Sequence, residues 1–296
     1  MSVSGPAALG RVAIVGSGQV GTMLGMALMA NRGGAGVESI TLFDLDPRVA
    51  AASLALGAGT AVGRDAADAF RADVVVLAAP VPAIVRLIDE FGPAAAPGAL
   101  VIDSGSAKRA IVDAMRRSIP PHAHAVGGHP MAGTERPGPN GADPGRLAGA
   151  PFVLSPVRED AEGLARAGAF VTAVGARAIV MGADDHDRAV ALTSHLPHLL
   201  AFALADAAGE EGRAGEERMA DLVSTGFVGA TRLAESDPTT TAGFLSANAD
   251  AVVAAASRFR SALDALLQAL RDPEALEAAL AEGRRARRAL TGREAP

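Results

Sequence analysis

The stretch Arg11-Val12-Ala13-Ile14-Val15-Gly16-Ser17-Gly18-Gln19-Val20-Gly21-Thr22 decides the fold. Four apolar residues run straight into a glycine triplet spaced Gly16-x-Gly18-x-x-Gly21, and the segment 20–31 continues with helical spacing. This reads as a buried strand, a tight turn and the first turns of a helix. In that setting the first glycine permits the turn, the second lets a pyrophosphate approach the backbone, and the third lets helix pack on strand. The helix start adds unpaired N–H groups and the positive end of its dipole. Glycine triplets also arise by chance in a chain with 34 glycines, so the weight lies in the flanking pattern.

Outward from this point, short apolar runs alternate with helical stretches. Strands are expected at 39–43, 73–78, 99–102, 124–126, 151–154 and 178–181, and helices at 82–91, 107–119 and 159–171. Continuous apolar runs suit strands buried on both faces, so the first half reads as a parallel α/β sheet. From about residue 184 the strand signals vanish and Ala- and Leu-rich helical spacing takes over, at 185–208, 218–225, 241–271 and 273–290. The expected architecture is a Rossmann-type sheet domain over 1–182 followed by an all-helical dimerisation and substrate domain over 183–296. The Gly/Pro-rich stretch 137–149 reads as a loop on the side of the site.

Composition narrows the function classes. The formal net charge is −6, which gives no broad attraction for nucleic acid or anionic membranes. There is no cysteine, so disulfides, thiolate catalysis and zinc–sulfur sites are excluded. Gly, Asp or Arg interrupts each apolar run, and no membrane span is expected. The first ten residues lack a basic stretch followed by an apolar core, and a cytoplasmic location is the default. Arg284, Arg285, Arg287 and Arg288 read as a solvated helix face.

Asp44 ends the second expected strand, 23 residues beyond Gly21. A carboxylate there accepts hydrogen bonds from the adenosine ribose and repels a 2′-phosphate, which favours NAD over NADP. Arg48 is the residue that could pair with such a phosphate instead, and Asp46 before Pro47 reads as a helix N-cap. The expected cofactor contacts are Gly16, Gly18, Gln19, Val20, Gly21 and Asp44. Two further polar clusters follow strands: Asp103-Ser104-Gly105-Ser106-Ala107-Lys108, and Gly127-Gly128-His129-Pro130. Ligands of open α/β sheets lie beyond the carboxyl ends of the strands, so these clusters should converge with the glycine loop. Lys108 is the only lysine in the chain, which suggests that a compact, rotatable donor is wanted at that point.

These segments carry a specific resemblance. Gly128-His129-Pro130-Met131-Ala132-Gly133-Thr134-Glu135 resembles the His-Pro-Met-Ala-Gly-x-Glu segment of the prephenate and arogenate dehydrogenases. Residues 103–108 resemble that family's Asp-x-x-Ser-x-Lys element, and Ser194-His195-Leu196-Pro197-His198 its Ser-His-Leu-Pro-His helix. Thr231-Arg232-Leu233-Ala234-Glu235-Ser236-Asp237-Pro238, preceded by Gly226-Phe227, resembles its Thr-Arg-Ile-Ala-x-x-Asp-Pro segment. The matches keep the family's order across most of 11–250. The resemblance implies hydride transfer from a cyclohexadienol to NAD with loss of the ring carboxylate as carbon dioxide, in tyrosine or related biosynthesis, by a homodimer. It implies His129 as the base at the ring hydroxyl with Ser106 beside it. Arg232, His198, Glu135 and Lys108 become the substrate-binding candidates, with Glu135 at the pocket mouth. No metal site is expected, because His195 and His198 lack further ligand-type neighbours. Pro197 should kink or end its helix, and one turn of spacing lets both histidines face the cleft. His122, His124 and His186 lie outside every motif and read as surface or core residues.

The chain departs from the family pattern after Gly226-Phe227, where Val228-Gly229 stand for an Arg-Asp pair. It departs again after Asp237-Pro238, where Thr241-Ala242-Gly243 stand for Trp-x-Asp, and Tyr and Trp are absent throughout. Prephenate, arogenate and the 4-amino analogue of prephenate all stay open as substrates. No fused regulatory domain is expected beyond the helical part. Two other readings remain: a β-hydroxyacid dehydrogenase, which needs a lysine beyond Lys108, and a non-catalytic NAD-binding sensor.

Overall fold

The computed structural model describes residues 8–134, 136–213 and 218–292. Strands β1 (Gly10–Val15), β2 (Val37–Phe43), β3 (Ala61–Val62), β4 (Val74–Leu77), β5 (Leu100–Asp103), β6 (His124–Pro130), β7 (Pro151–Pro156) and β8 (Arg177–Val180) form one sheet. Their order is β3-β2-β1-β4-β5-β6-β7-β8. Helices α1 (Gln19–Ala30), α2 (Pro47–Ala55), α3 (Ala66–Ala69), α4 (Val81–Phe91), α5 (Arg109–Ser118) and α6 (Ala161–Ala173) cover its faces. The chain continues through α7 (Ala183–Val190), α8 (Leu196–Arg213), α9 (Thr225–Thr231), α10 (Pro238–Ala247), α11 (Ala249–Ala269) and α12 (Pro273–Leu290).

Strand alternation sorts the core into two layers. Val12, Ile14, Val74, Val76, Leu100 and Ile102 face one way, with Met23, Leu24 and Leu28 of α1 and Phe170 of α6. Ala13, Val15, Val75, Leu77 and Val101 face the other, with Ile84 and Ile88 of α4 and Ile111 and Met115 of α5. Because side chains alternate with period two, an unbroken apolar run such as 74–77 feeds both layers. This is why the central strands read so plainly in the sequence.

The sheet is parallel from β3 to β6, but β7 runs antiparallel to β6, with His129 opposite Val153. A parallel crossover needs a dozen or more residues, usually a helix; among the described residues, the connection from 131 to 150 carries only two short 3-10 turns and returns alongside. The short β3 and α3 are additions to the sequence reading, which placed a helix N-cap at Asp46 without giving the helix a range. α2 opens on Asp46, whose side chain accepts from the Arg48 amide at 2.9 Å, with Pro47 at its first position.

The first helical stretch of the second half is interrupted. Residues Ala191–His195 form a π-helical turn immediately before Pro197. Proline lacks the N–H that would close the preceding turn and crowds the carbonyl four residues back, and an extra residue in the turn relieves both. Taken whole, Ala183–Glu211 is long and apolar enough by length and mean hydropathy to cross a membrane, contrary to the sequence reading. Its buried members include His186, Asp187 and His195, all hydrogen-bonded within the protein. The helix expected across 241–271 breaks at Asn248 between α10 and α11. By compactness the chain divides between Ala249 and Asp250, well past residue 182, so α7 to α10 belong to the unit that holds the sheet.

The turn between β1 and α1 leaves no room for side chains. A Cβ at Gly21 would stand 1.9 Å from the Gly16 carbonyl oxygen, and one at Gly16, where φ is +97°, 2.4 Å from that of Ala78. Gly21→Ala is therefore expected to destabilise the fold by about 1–3 kcal/mol. Thermal unfolding should show a midpoint lower by roughly 3–10 °C. An unchanged midpoint would mean that the loop is not held as closely as described.

Candidate active site

The carboxyl ends of β1, β4 and β5 and the end of β6 open on one cavity of about 390 Å³, within the range of small-molecule sites. Its wall includes Gly18, Gln19 and Val20 from the glycine turn, Ala79 and Pro80 after β4, Ser106 after β5, and His129. Thr134 and Arg136 line it from the β6–β7 loop, and His198, Asp237, Thr241 and Phe244 from the helices beyond the sheet. A larger depression, about 540 Å³, runs along α12 between Pro273 and Arg288. All its lining residues come from that one helix, so no chemistry converges there.

At the glycine turn, Gly18 caps α1 without any side-chain hydrogen bond, and the first turn holds no acidic residue. A Cβ at Gly18 meets nothing within 4 Å, so the backbone there is open to close approach. Asp44 lies at the end of β2, one carboxylate oxygen accepting from the Ser17 amide (2.8 Å) and the other from the Asp46 amide (3.0 Å). Arg48 pairs with Asp46 at 2.8 Å. Gln19 ties the turn to the β6–β7 loop: its Nε2 donates to Thr134 Oγ1 and to the Arg136 carbonyl (2.7 Å), and its Oε1 accepts from the Thr134 amide (3.1 Å).

Lys108 is a correction to the sequence reading. Its side chain is fully buried and does not line the cavity. The ammonium donates to Asp103 Oδ2 and, at 2.6 Å, to the Gly128 carbonyl. Asp103 Oδ1 accepts the Gly128 amide at 2.8 Å, and Oδ2 the Gly105 amide at 2.7 Å. Burial pushes the ammonium below its ordinary value against the pull of Asp103. The pair thus holds both backbone polar groups of Gly128, the residue before His129. A side chain at Gly128 would stand 2.2 Å from the Asp103 carbonyl, which explains the glycine.

His129 is 8% exposed and borders the cavity. Its Nδ1 lies 2.8 Å from Nε2 of His186, whose Nδ1 lies 2.7 Å from Asp187 Oδ1. Burial first, and then the neighbouring His186, Lys108 and His195, hold the His129 imidazole well below its usual range, so it is neutral near pH 7. Ser106 lies across the β5 loop on the same wall. His198 also borders the cavity, its Nδ1 donating to the Ser194 carbonyl at 2.8 Å.

His195 does not reach the cavity. Its ring lies against Phe244 with centroids 4.8 Å apart, and the His198 ring meets the same Phe244 at 5.2 Å. Asn248 donates to its Nδ1 (3.1 Å) and to the Asp187 carbonyl (2.8 Å). Arg232 is exposed in the turn Arg232–Glu235 and is not among the cavity's lining residues, although Ser236 and Asp237 just beyond it are. Glu135 lies outside the described residues. His122 and His124 hold local contacts with the Ala95 carbonyl and Asp160. His186 departs from the surface-or-core reading by bonding His129. It had no motif around it, and neither it, Asp187, Asn248 nor Arg136 was singled out from the sequence; only the loop position of Arg136, beside 137–149, gave any hint.

Two outcomes separate structural from chemical roles. Lys108→Met leaves Asp103 buried without its cation and should cost about 3–5 kcal/mol of stability. A residue that grips substrate would instead show its loss in KM, with stability intact. For His195, burial is the largest cause of a pKa pushed down to about 4 from 6.5, so protonation favours the unfolded chain. Its contribution is complete above about pH 6.5 and is lost as the pH falls toward 4, a loss of about 3 kcal/mol across that window. Urea unfolding at pH 7 and pH 4.5 should show a smaller acid loss for His195→Gln than for the parent; equal losses would remove His195 from the acid sensitivity.

Comparison with known proteins identifies the family of the chain. Residues 26–180 match the family description "prephenate dehydrogenase, nucleotide-binding domain", and residues 182–282 match "prephenate dehydrogenase, dimerization domain". The chain is 30% identical to the cyclohexadienyl dehydrogenase of Zymomonas mobilis over 94% of this chain and 95% of that protein. A prephenate dehydrogenase from A. aeolicus, solved with hydroxyphenyl propionate and NAD+, superposes with a TM-score of 0.87 at 26% identity, covering 96% of this chain and 99% of that one. Synechocystis arogenate dehydrogenase superposes with a TM-score of 0.76 at 26% identity, over 94% of this chain and 98% of that one. The chain belongs to the prephenate dehydrogenase family.

Proposed function

We propose that the chain catalyses the NAD-dependent oxidative decarboxylation of prephenate or a close cyclohexadienyl analogue, arogenate or 4-amino-4-deoxyprephenate, in tyrosine or related aromatic biosynthesis. The observation that carries this reading is a neutral imidazole, His129, in the wall of a cavity that also includes the open end of α1. The residues fit a dinucleotide. The Gly16–Gly21 turn and the uncapped start of α1 would hold the pyrophosphate, and Asp44, fixed by two backbone amides, the adenosine ribose. Arg48 is occupied by Asp46, which supports NAD over NADP. When bound, the nicotinamide supplies the hydride acceptor.

The chain's own residues then have three tasks. His129 takes the proton of the ring hydroxyl through Nε2, the nitrogen not engaged with His186, and Ser106 gives that hydroxyl a second hydrogen bond. His198, which also lines the cavity, orients the substrate beside Phe244 and Thr241. Arg232 is assigned to a substrate carboxylate and Glu135 to the pocket mouth on the family resemblance; Lys108 holds the site and does not contact substrate. As the hydride leaves the ring carbon and the proton leaves its hydroxyl, the ring carboxylate departs as carbon dioxide and the ring becomes aromatic.

The working division is residues 1–182 for the dinucleotide and 183–296 for dimerisation and substrate, supported by the two family matches meeting near residue 181. The assembly is a homodimer, without nucleic-acid or membrane partners, in the cytoplasm. The alternative that needs a catalytic lysine loses its group, because the single lysine is buried in an ion pair.

Purified protein incubated with NAD and each of the three substrates should produce NADH with at least one of them. His129→Ala should lower kcat by about 10²–10⁴-fold. No NADH with any substrate overturns the reaction, and wild-type kcat in the variant removes His129 from it.

A further inference from the structure

His129 does not stand alone. Its ring meets that of His186 edge-on, with centroids 5.1 Å apart and planes at 71°, and the 2.8 Å contact joins Nδ1 of one to Nε2 of the other. His186 is fully buried and passes its own Nδ1 to Asp187 Oδ1 at 2.7 Å. Asp187 also accepts the backbone amides of Lys108 (2.7 Å) and Arg109 (2.9 Å) at the start of α5. Burial raises the Asp187 carboxyl, but the bonds from His186 and the two amides outweigh it and hold the group below its usual range. The carboxylate is therefore ionised and can only accept.

An acceptor at one end fixes every proton along the line. His186 must present Nδ1–H to Asp187, which leaves its Nε2 as a lone pair. His129 must then donate Nδ1–H to that lone pair, which leaves its own Nε2 bare for the cavity. Burial and the neighbouring His186, Lys108 and His195 all disfavour positive charge on the His129 ring, so the Asp187 carboxylate beyond His186 has a task at the moment the ring accepts a proton.

We propose that His186 and Asp187 are positioning residues that hold His129 in its Nδ1–H tautomer and offset the charge it gains as base. This rests on the assignment of His129 made above. The proton lost by the substrate hydroxyl goes to His129 Nε2, the Nδ1–H bond to His186 shortens, and the charge is spread along the line to Asp187. Within the line from His129 to Asp187 no covalent bond forms or breaks apart from the new Nε2–H.

The chain has six histidines, few enough for their ring nitrogens to be resolved by NMR of full-length protein labelled with ¹⁵N-histidine. Spectra of His129→Ala and His186→Gln assign the signals. In the parent, His129 and His186 should both be neutral Nδ1–H tautomers. An Nε2–H tautomer at His129, or a doubly protonated His186, overturns the proposal, and this readout needs no substrate. In turnover, His186→Leu should lower kcat by at least about 10²-fold with KM changed much less, since removing the group that sets a catalytic tautomer acts on the chemical step. His186→Gln, which keeps an acceptor for His129 Nδ1–H, should recover part of that loss. A folded His186→Leu protein with parental kcat, or equal losses in the two variants, counts against it. Absence of NADH with every substrate would sink the reaction while the tautomers still decide the positioning role.

Discussion

The site depends on one buried ion pair. Lys108 and Asp103 together take up the amide and the carbonyl of Gly128, and so hold the last turn of β6 against the end of β5 after regular pairing stops at Ile102 and Val126. A buried pair of this kind gains little net stability, because desolvating two charges offsets most of their attraction. Its effect is on geometry: a strand displaced by one residue would turn His129 to the opposite face. The same loop places Ser106 on the cavity wall and starts α5, whose first amides meet Asp187. One charge pair therefore fixes the base, its neighbouring hydroxyl and the carboxylate behind it.

The helical elements complete the arrangement. A straight helix through 185–208 would set His195 and His198 on one face, one turn apart. They keep that relation, since both rings meet Phe244, at 4.8 and 5.2 Å, while only His198 borders the cavity. The break at Asn248 serves the same end, because its amide group joins the Asp187 carbonyl to His195 and ties the end of α10 to α7.

The sheet was legible because its signals are local. Apolar runs, the glycine turn and the Asp46–Pro47 cap each depend on neighbours within a few residues, and those strands begin close to where the sequence placed them, although β6 runs on to Pro130 and holds His129 inside the strand rather than in a loop after it. The antiparallel turn of β7 was not legible, since it follows from the lack of a crossover helix in a loop that reads as any loop. The convergence of the loops after β1 and β5 with the end of β6 followed from a general rule of α/β sheets. His186 and Asp187 escaped because their meaning is tertiary: they matter through a ring 57 residues away in sequence. Lys108 shows the opposite limit. Its rarity marked the position as special, but rarity carries no information about whether the ammonium faces a ligand or a carboxylate.

That burial has a consequence at the surface. With the sole lysine enclosed, every side-chain cation the protein shows to solvent is an arginine, or a histidine when protonated. Guanidinium keeps its charge at any physiological pH, and its planar fork favours carboxylates and phosphates over point contacts. Reagents and enzymes that seek a lysine side chain meet none until β5 and β6 separate. Covalent labelling of that one amine is therefore a clock for the opening of the site.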